Sequence, residues 1–170
     1  MSPRLRIRFP ILVPLLLVGL LSGATVSAHE TVQADGTAEQ TIDPAAIDAV
    51  KVVDAFSEAI RTNRLDQARD LLDPQVLILE SGGAERSRDQ YMAGHAIEDA
   101  AFMRDATVQL RHRRAQAEGD FAWVGSESSL QAVNEGKPLS LSSAETMLLK
   151  RTAQGWKIVH IHWSSRRTPP

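Results

Sequence analysis

The chain has 170 residues, a formal net charge of −2 and no cysteine, so one domain with a substantial core and extra terminal segments is expected. The lack of cysteine excludes disulfides, thiolate metal sites, a cysteine nucleophile and a lipid-modified N-terminal cysteine. The near-balanced charge argues against a nucleic-acid partner, which would need clustered basic residues. The one basic cluster, residues 111–114, is interpreted as an exposed strand face.

The first 28 residues have the pattern of a secretory signal peptide. Three arginines precede an apolar stretch at residues 11–21, and small residues at 26–28 provide a cleavage site. The apolar stretch is shorter than the roughly 20 residues of a membrane span, although an uncleaved anchor is the alternative. Cleavage after Ala28 would remove three of the 19 basic and none of the 21 acidic residues, changing the formal net charge from −2 to −5. We therefore predict an exported protein, periplasmic or secreted, without membrane association after cleavage.

The next segments predict a linker and two helices. Residues 29–43 are polar and without periodicity, which indicates a flexible linker. Asp43-Pro44 has the form of a helix start, with an N-cap acid followed by proline. A shorter second helix is predicted between Asn63 and the stop at Asp73-Pro74. The apolar stripe that predicts the first helix consists of Ala49, Val52, Val53, Phe56, Ala59 and Ile60.

A strand and further helical segments follow. Val76–Glu80 is a short apolar strand, closed by residues 81–83. Ser87–Gln90 has the spacing of a capping box and opens a third helix that continues to His95. Helical character resumes from Ile97 to Met103.

From Thr107 onward the periodicity predicts three or four strands. Turn residues separate them at 118–120, 134–136 and 152–155. Sequential strands joined by short turns form an antiparallel meander. The order predicts an α+β fold over residues 44–166, with helices on one face of a curved antiparallel sheet and a tail at 167–170.

This order of elements resembles the nuclear transport factor 2-like superfamily, in particular its SnoaL-like branch and related domains of unknown function. The resemblance is carried by Val52–Phe56, Leu65–Ala68, Leu71–Pro74 and the last strand at 155–162. The last strand is also similar to that of the association domain of calcium/calmodulin-dependent protein kinase. The resemblance implies a cone-shaped domain whose helices leave a pocket over the concave sheet face, while the convex face often packs against a second subunit. Isomerases, cyclases, dehydratases and assembly modules share this fold, so the fold does not determine the function.

The most specific feature is the pair His160 and His162 in the apolar last strand. Strict alternation puts both on the face of Trp156 and Ile158, which we expect to line the pocket. The opposite face would then form a homodimer interface. The apolar residues on that opposite face are Val159, Ile161 and Trp163.

The hairpin at residues 152–155 decides what faces these histidines. With a four-residue loop, His162 lies opposite Glu145, whereas a three-residue loop puts it opposite Thr146. We favour the first register because a carboxylate gives a buried imidazole a hydrogen-bond partner.

Three roles remain open for the histidine pair. Each imidazole could be a structural group held by a carboxylate or a backbone group. The pair could act as acid/base or orienting residues in a pocket. The pair could also bind a metal together with Glu80, Glu145 or His95.

Other pocket candidates each have a structural alternative. Glu80 is either a buried carboxylate suited to proton transfer or a solvent-exposed strand end. His95 is either a pocket residue or a surface residue at a helix C-terminus. Trp123 is either core or pocket wall, and Glu127 shares its strand face. The remaining candidate wall residues are Tyr91 and Phe102.

We therefore predict an exported domain that binds a small, partly apolar molecule. Its chemistry would be acid/base catalysis of the isomerase, cyclase, dehydratase or hydrolase type, without an organic cofactor. Glu80 or Glu145 would be the base, while His160 and His162 would orient the substrate or stabilise negative charge. The alternative is a non-catalytic ligand-binding or dimeric assembly module, with a metal bound through the two histidines as a further option.

Overall fold

The computed structural model describes residues 38–134 and 136–168. The predicted signal peptide, residues 1–28, lies outside the described residues. The helices are a 3-10 turn at Pro44–Ala46, α1 Ile47–Arg61, α2 Leu65–Leu71, α3 Arg88–Met92 and α4 His95–Arg104. The strands are β1 Glu39–Ile42, β2 Leu72–Glu80, β3 Gly83–Glu85, β4 Thr107–Glu118, β5 Phe121–Asn134, β6 Lys137–Thr152 and β7 Gly155–Arg167. Among the described residues, no helix is long and apolar enough to span a membrane.

The strands form one curved, mixed sheet in the order β1-β4-β5-β6-β7-β2-β3. Strands β4 to β7 form the predicted antiparallel meander. In contrast, β1 runs parallel to β4 and β2 runs parallel to β7. The α+β fold is confirmed. The expectation of a wholly antiparallel sheet is wrong, because two strands that are distant from the meander in sequence pair with it in parallel.

The predicted linker at residues 29–43 is wrong at its C-terminal end. Glu39–Ile42 is a strand, with Glu39 opposite His112 and Ile42 opposite Ala115. Backbone hydrogen bonds alone can hold an edge strand in a sheet. The polar sequence of Glu39–Ile42 therefore lacks the apolar alternation by which a strand is predicted. At the other end, β7 continues to Arg167, one residue into the predicted tail.

The helix caps predicted at Asp43 and Ser87 are confirmed, but one helix is shorter than expected. Asp43 accepts a hydrogen bond from the Ala45 backbone (2.9 Å), and Ser87 accepts one from the Gln90 backbone (3.1 Å). The third helix ends at Met92, because the chain turns at Gly94, a poor helix former. His95 is therefore the first residue of α4, and its predicted position at a helix C-terminus is wrong.

The innermost part of the concave face is a continuous apolar row. Five strands each contribute one side chain to this core row, and each is at most 1% exposed. Helix α1 packs against it with Val53 and Phe56, which are 0% and 1% exposed. Because the row is sealed by the helix, its burial stabilises the fold and leaves no space for a ligand. Its members, in sheet order, are Ala115, Val124, Met147, Ile161 and Ile78.

A β-bulge in β7 changes which residues of the last strand face the helices. Near the turn Leu149 lies opposite Ile158, but the next pair is Leu148 with His160, which leaves Val159 as an extra residue. A bulge of this kind resets the alternation of side chains along a strand. The inward-facing residues of β7 are consequently Trp156, Ile158, Ile161 and Trp163.

The predicted orientation of the histidine pair is therefore wrong. His160 and His162 lie on the outer face, and His162 is exposed. Both registers considered for the hairpin occur, one on each side of the bulge. Beyond the bulge, His162 pairs with Thr146, while Glu145 pairs with Trp163. The favoured pairing of His162 with Glu145 is thus wrong.

Candidate functional site

A cavity of about 450 Å³ lies between the helices and the concave sheet face. Its apolar wall on the helix side includes Phe56, Ile60, Phe102 and Met103. On the sheet side, five strands each contribute one side chain to the wall. These five side chains lie directly beside the core row. We call this set the polar row, and it runs in sheet order through Arg113, Ser126, Glu145, Trp163 and Glu80.

One end of the cavity holds an imidazole surrounded by carboxylates. The Nδ1 atom of His95 lies 2.8 Å from Glu85 Oε1, and its Nε2 atom lies 3.3 Å from Glu80 Oε2. The same Nε2 atom lies 3.5 Å from Asp99 Oδ1. Tyr91, which is fully buried, donates a hydrogen bond from its hydroxyl to Asp99 Oδ2 (2.8 Å). We call these five residues the acidic cluster, and Glu80, Asp99 and Tyr91 face the cavity.

The acidic cluster changes the proton affinities of its members. Hydrogen bonding to Glu80, with further attraction from Asp99 and Glu85, raises the pKa of His95 to about 10 against an opposing contribution from burial. Burial raises the pKa of Asp99 to about 6, although His95 and Tyr91 oppose the rise. Burial and the nearby Asp99 also raise the pKa of Tyr91. At neutral pH, His95 is therefore an imidazolium, Tyr91 is a neutral donor, and Asp99 is mostly ionised but close to its midpoint.

A second polar centre lies further along the same row. Trp163 donates a hydrogen bond from Nε1 to Glu145 Oε2 (2.8 Å), and its ring packs against Tyr91 with centroids 6.2 Å apart. Burial raises the pKa of Glu145, while the indole hydrogen bond and the charge of Arg113 act in the opposite direction. Trp163 thus separates two carboxylates of the polar row, Glu80 and Glu145, and contacts both centres.

Arg113 departs from the interpretation of its segment as a solvated face. Its side chain is only 10% exposed and forms a 2.6 Å ion pair with Asp54 of α1. Its Nε atom donates to the Ser126 hydroxyl at 3.2 Å. Its neighbours Arg111, His112 and Arg114 are exposed, as predicted. The interpretation was wrong for Arg113 because a run of consecutive basic residues does not indicate which side chain points inward.

The cavity gathers some of the predicted site residues and excludes others. Glu80, Glu145, Tyr91 and Phe102 line it, and His95 contacts two lining carboxylates. The predictions that His160, His162, Trp123 and Glu127 belong to the pocket are wrong, because these four residues lie on the outer sheet face.

His160 and His162 lie on the outer sheet face, away from the cavity. His160 places Nδ1 2.8 Å from the Leu77 carbonyl oxygen of the neighbouring strand, and His162 is exposed. Since Glu145 and Glu80 point to the other side of the sheet, the predicted metal set of the two histidines with either carboxylate cannot form. A different set has suitable spacing, since Glu80, His95 and Asp99 offer ligand atoms within 4.8 Å of one another.

Asp99 is the main site residue that sequence reasoning missed. It lies four residues after His95 on α4, so both side chains project from one helix face. That spacing of a histidine and a carboxylate is the signal that could have identified it. The buried residues of α4 are only the small Ala96 and Ala100. The helix therefore has no clear apolar stripe from which its inward side could be predicted.

Comparison with known proteins identifies the family. Residues 50–167 match the family model described as a SnoaL-like domain. A candidate ketosteroid isomerase from Shewanella frigidimarina NCIMB 400 is 31% identical, with a TM-score of 0.69, and the alignment covers 73% of this chain and 100% of that chain. No curated protein matches the sequence.

Two further solved structures share the fold at lower identity. A candidate dehydratase of the NTF2-like family from Streptomyces avermitilis is 18% identical, with a TM-score of 0.62 and coverage of 71% of this chain and 95% of that chain. A candidate calcium/calmodulin-dependent protein kinase II association domain from Xanthomonas campestris is 18% identical, with a TM-score of 0.62 and coverage of 78% and 96%. None of these comparisons indicates a cofactor. The chain belongs to the SnoaL-like family of NTF2-like domains.

Proposed function

We propose that the domain binds a small, partly apolar molecule in its cavity and catalyses proton transfer on it without a cofactor. The observation that carries this proposal is the position of Asp99, a cavity-facing carboxyl group held between a buried tyrosine and an imidazolium. A base works best when its pKa is close to the working pH, and the pKa of Asp99 is raised to about 6. The similarity to a candidate ketosteroid isomerase supports chemistry of this class.

In this proposal Asp99 takes the place that the sequence assigned to Glu80 or Glu145. Asp99 removes a proton from the ligand, and Tyr91 fixes the carboxylate through its 2.8 Å hydrogen bond. His95 is a positioning residue, since its contacts are to Glu80, Glu85 and Asp99. Glu145, whose pKa is raised by burial, lines the same cavity and is separated from Glu80 by Trp163.

The test uses a reporter of proton abstraction, because the natural ligand is not needed to detect a base. The ring of 5-nitrobenzisoxazole opens to a coloured phenolate when a base removes its carbon-bound proton. We expect catalysis by the wild-type protein and a loss of about 10²-fold or more in Asp99→Asn, the usual contribution of a positioned base. Asp105→Asn, an exposed position one residue beyond α4, is the matched control and keeps the wild-type rate.

Two outcomes separate catalysis from its alternative. A rate that disappears in Asp99→Asn but persists in Asp105→Asn supports the enzyme. Equal rates in all three proteins would leave a non-catalytic ligand-binding or assembly module as the function. Addition of EDTA is expected to leave the rate unchanged, because no step depends on a metal.

We also propose that the protein is exported, as its first 28 residues suggest. Expression of the full chain in a bacterial host should give a periplasmic product whose N-terminal residue is His29. A cytoplasmic product that retains Met1 contradicts export.

We further propose that the domain forms a homodimer through the outer sheet face. The apolar residues first expected there, Ile161 and Trp163, face inward, so the argument rests on another set. An outward row crosses four strands through Trp123, Leu148, His160 and Leu77. Leu77 and Leu148 are 38% and 36% exposed, and covering such a row would remove apolar surface from water. The same fold occurs in a candidate association domain.

Leu148→Lys tests the dimer. A charge in the middle of the outward row should convert a dimer to a monomer, as measured by light scattering after size exclusion. Val133→Lys, at a 69% exposed apolar residue near the far hairpin, is the control that should remain dimeric. A monomeric wild-type protein at micromolar concentration contradicts the dimer.

A further inference from the structure

We propose that Ser128, Ser143 and Ser165 form an oxygen-binding subsite that selects ligands with two oxygen substituents one strand spacing apart. We call these residues the serine row. This inference rests on the proposed function, because it assigns a ligand class to the same cavity. The class is a flat, largely apolar compound with hydroxyl or carbonyl oxygens in a meta relationship.

The serine row lies directly beside the polar row. Ser128 pairs with Ser143, and Ser143 pairs with Ser165, so the three residues occupy adjacent strands. Each lies two positions along its strand from a member of the polar row and therefore faces the same side. All three line the cavity. Their spacing across the sheet is that of neighbouring strands, about 4.8 Å.

The three hydroxyls are available to a ligand. Within residues 38–134 and 136–168, none of them makes a hydrogen bond to the protein, whereas Ser126 accepts one from Arg113 (3.2 Å) and Ser129 accepts one from Arg111 (3.1 Å). A serine hydroxyl both donates and accepts, which suits neutral hydroxyl and carbonyl oxygens. Ser128 and Ser143 are half-buried, so a ligand oxygen would replace water in a partly enclosed site.

The surroundings of the serine row define the rest of the ligand. The next row outward is apolar, with Val108, Leu130 and Leu141, and Phe102 lies on the helix side of the cavity. An apolar ring system fits between these walls with one edge on the hydroxyls. Two meta oxygens on a benzene ring are separated by about the strand spacing of 4.8 Å. The two oxygens of a 2,6-disubstituted naphthalene lie at opposite ends of the fused rings, so they are further apart and cannot both meet neighbouring serines.

The experiment compares two isomers on three proteins. Isothermal titration measures the binding of 1,3-dihydroxynaphthalene and 2,6-dihydroxynaphthalene to the wild type, to Ser128→Ala/Ser143→Ala and to Ser129→Ala/Ser142→Ala. The last variant is the matched control, because Ser129 and Ser142 are the adjacent positions on the same strands and face outward. We expect the wild type and the control to bind the 1,3-isomer about ten-fold more tightly, as two neutral hydrogen bonds allow. In Ser128→Ala/Ser143→Ala the preference should fall to within about two-fold.

The outcomes distinguish this subsite from the proposed function. Equal binding of the isomers to the wild type, or a preference that survives in Ser128→Ala/Ser143→Ala, overturns the subsite but leaves the cavity function intact. Failure of the wild type to bind either isomer also overturns the subsite, whereas the proposed function is overturned only if Asp99→Asn retains the wild-type rate of proton abstraction from 5-nitrobenzisoxazole. Melting temperatures establish that each variant is folded, and the single variants Ser128→Ala and Ser143→Ala provide the same readout if the double variant unfolds.

Discussion

At the scale of single residues, the surroundings of a side chain matter more than its type. Five histidines occur in the chain, and the two that looked most functional, His160 and His162, face outward. The one in the site is His95, whose imidazolium lies at the N-terminus of α4, where the helix dipole is unfavourable for a cation. Three carboxylates offset that penalty, so the charge of His95 depends on the tertiary structure.

The pH dependence of stability tests this assignment of charge. The pKa of His95 is raised from an ordinary value of 6.5 to about 10, first by the hydrogen bond to Glu80. Its contribution to stability is therefore fully present below pH 6.5 and is lost as the pH rises through about 10. His95→Gln should lower the free energy of unfolding at pH 6, with a difference from wild type that shrinks toward pH 10. Urea unfolding across this range measures the difference.

The exposed His112, whose side chain is 57% exposed, provides the control for His95. His112→Gln should give a stability curve that superimposes on that of the wild type. If the curve of His95→Gln instead runs parallel to the wild-type curve at every pH, the imidazolium assignment is wrong.

At the scale of secondary-structure elements, the bulge in β7 decides which half of the strand serves the site. The extra residue Val159 allows Ile158 and Ile161 both to reach the core, and it turns Trp163 into the cavity. If the strand instead alternated regularly through Val159, His160 and His162 would face inward and Ile161 outward. The outward position of the histidines is thus a consequence of the bulge.

Deletion of Val159 tests the role of the bulge. The deletion should leave the domain folded at a cost of about 1–2 kcal/mol, because the shortened strand alternates regularly and keeps Ile158, Ile161 and Trp163 on the inner face. Val159→Ala keeps the bulge and should cost about 1 kcal/mol, in the range for removing part of a half-buried side chain. Urea unfolding midpoints compare the two variants. A deletion variant that fails to fold would contradict the assignment of Val159 as the extra residue of the bulge.

These elements also explain what the sequence could predict. Helix α1, the caps at Asp43 and Ser87 and the four-strand meander carry local signals, and each is found in the structure. The site depends on features with no local signal. A bulge does not alter composition or periodicity enough to be recognised, and the inward position of Arg113 depends on its contact with Asp54, 59 residues away in sequence.

At the scale of the whole molecule, the side chains of the concave sheet face change character from one row to the next, starting at the core. The core row is sealed, the polar row carries charge, the serine row offers hydroxyls, and the outermost row is apolar. On the sheet side of the cavity, this order places ionisable groups next to the core, where burial shifts their pKa values, and uncharged side chains further along the strands. Such an arrangement suits a base that acts on one end of an otherwise apolar ligand.

The most direct test of this account is the pH dependence of proton abstraction from 5-nitrobenzisoxazole by the wild-type protein. Since burial raises the pKa of Asp99 to about 6, the rate should rise with pH through a midpoint near 6 and then level off as the carboxylate becomes fully ionised. Asp99→Asn should lack this rise, and His160→Gln, on the outer face, should retain it. A rise of the same size and midpoint in Asp99→Asn would contradict the assignment of Asp99 as the base.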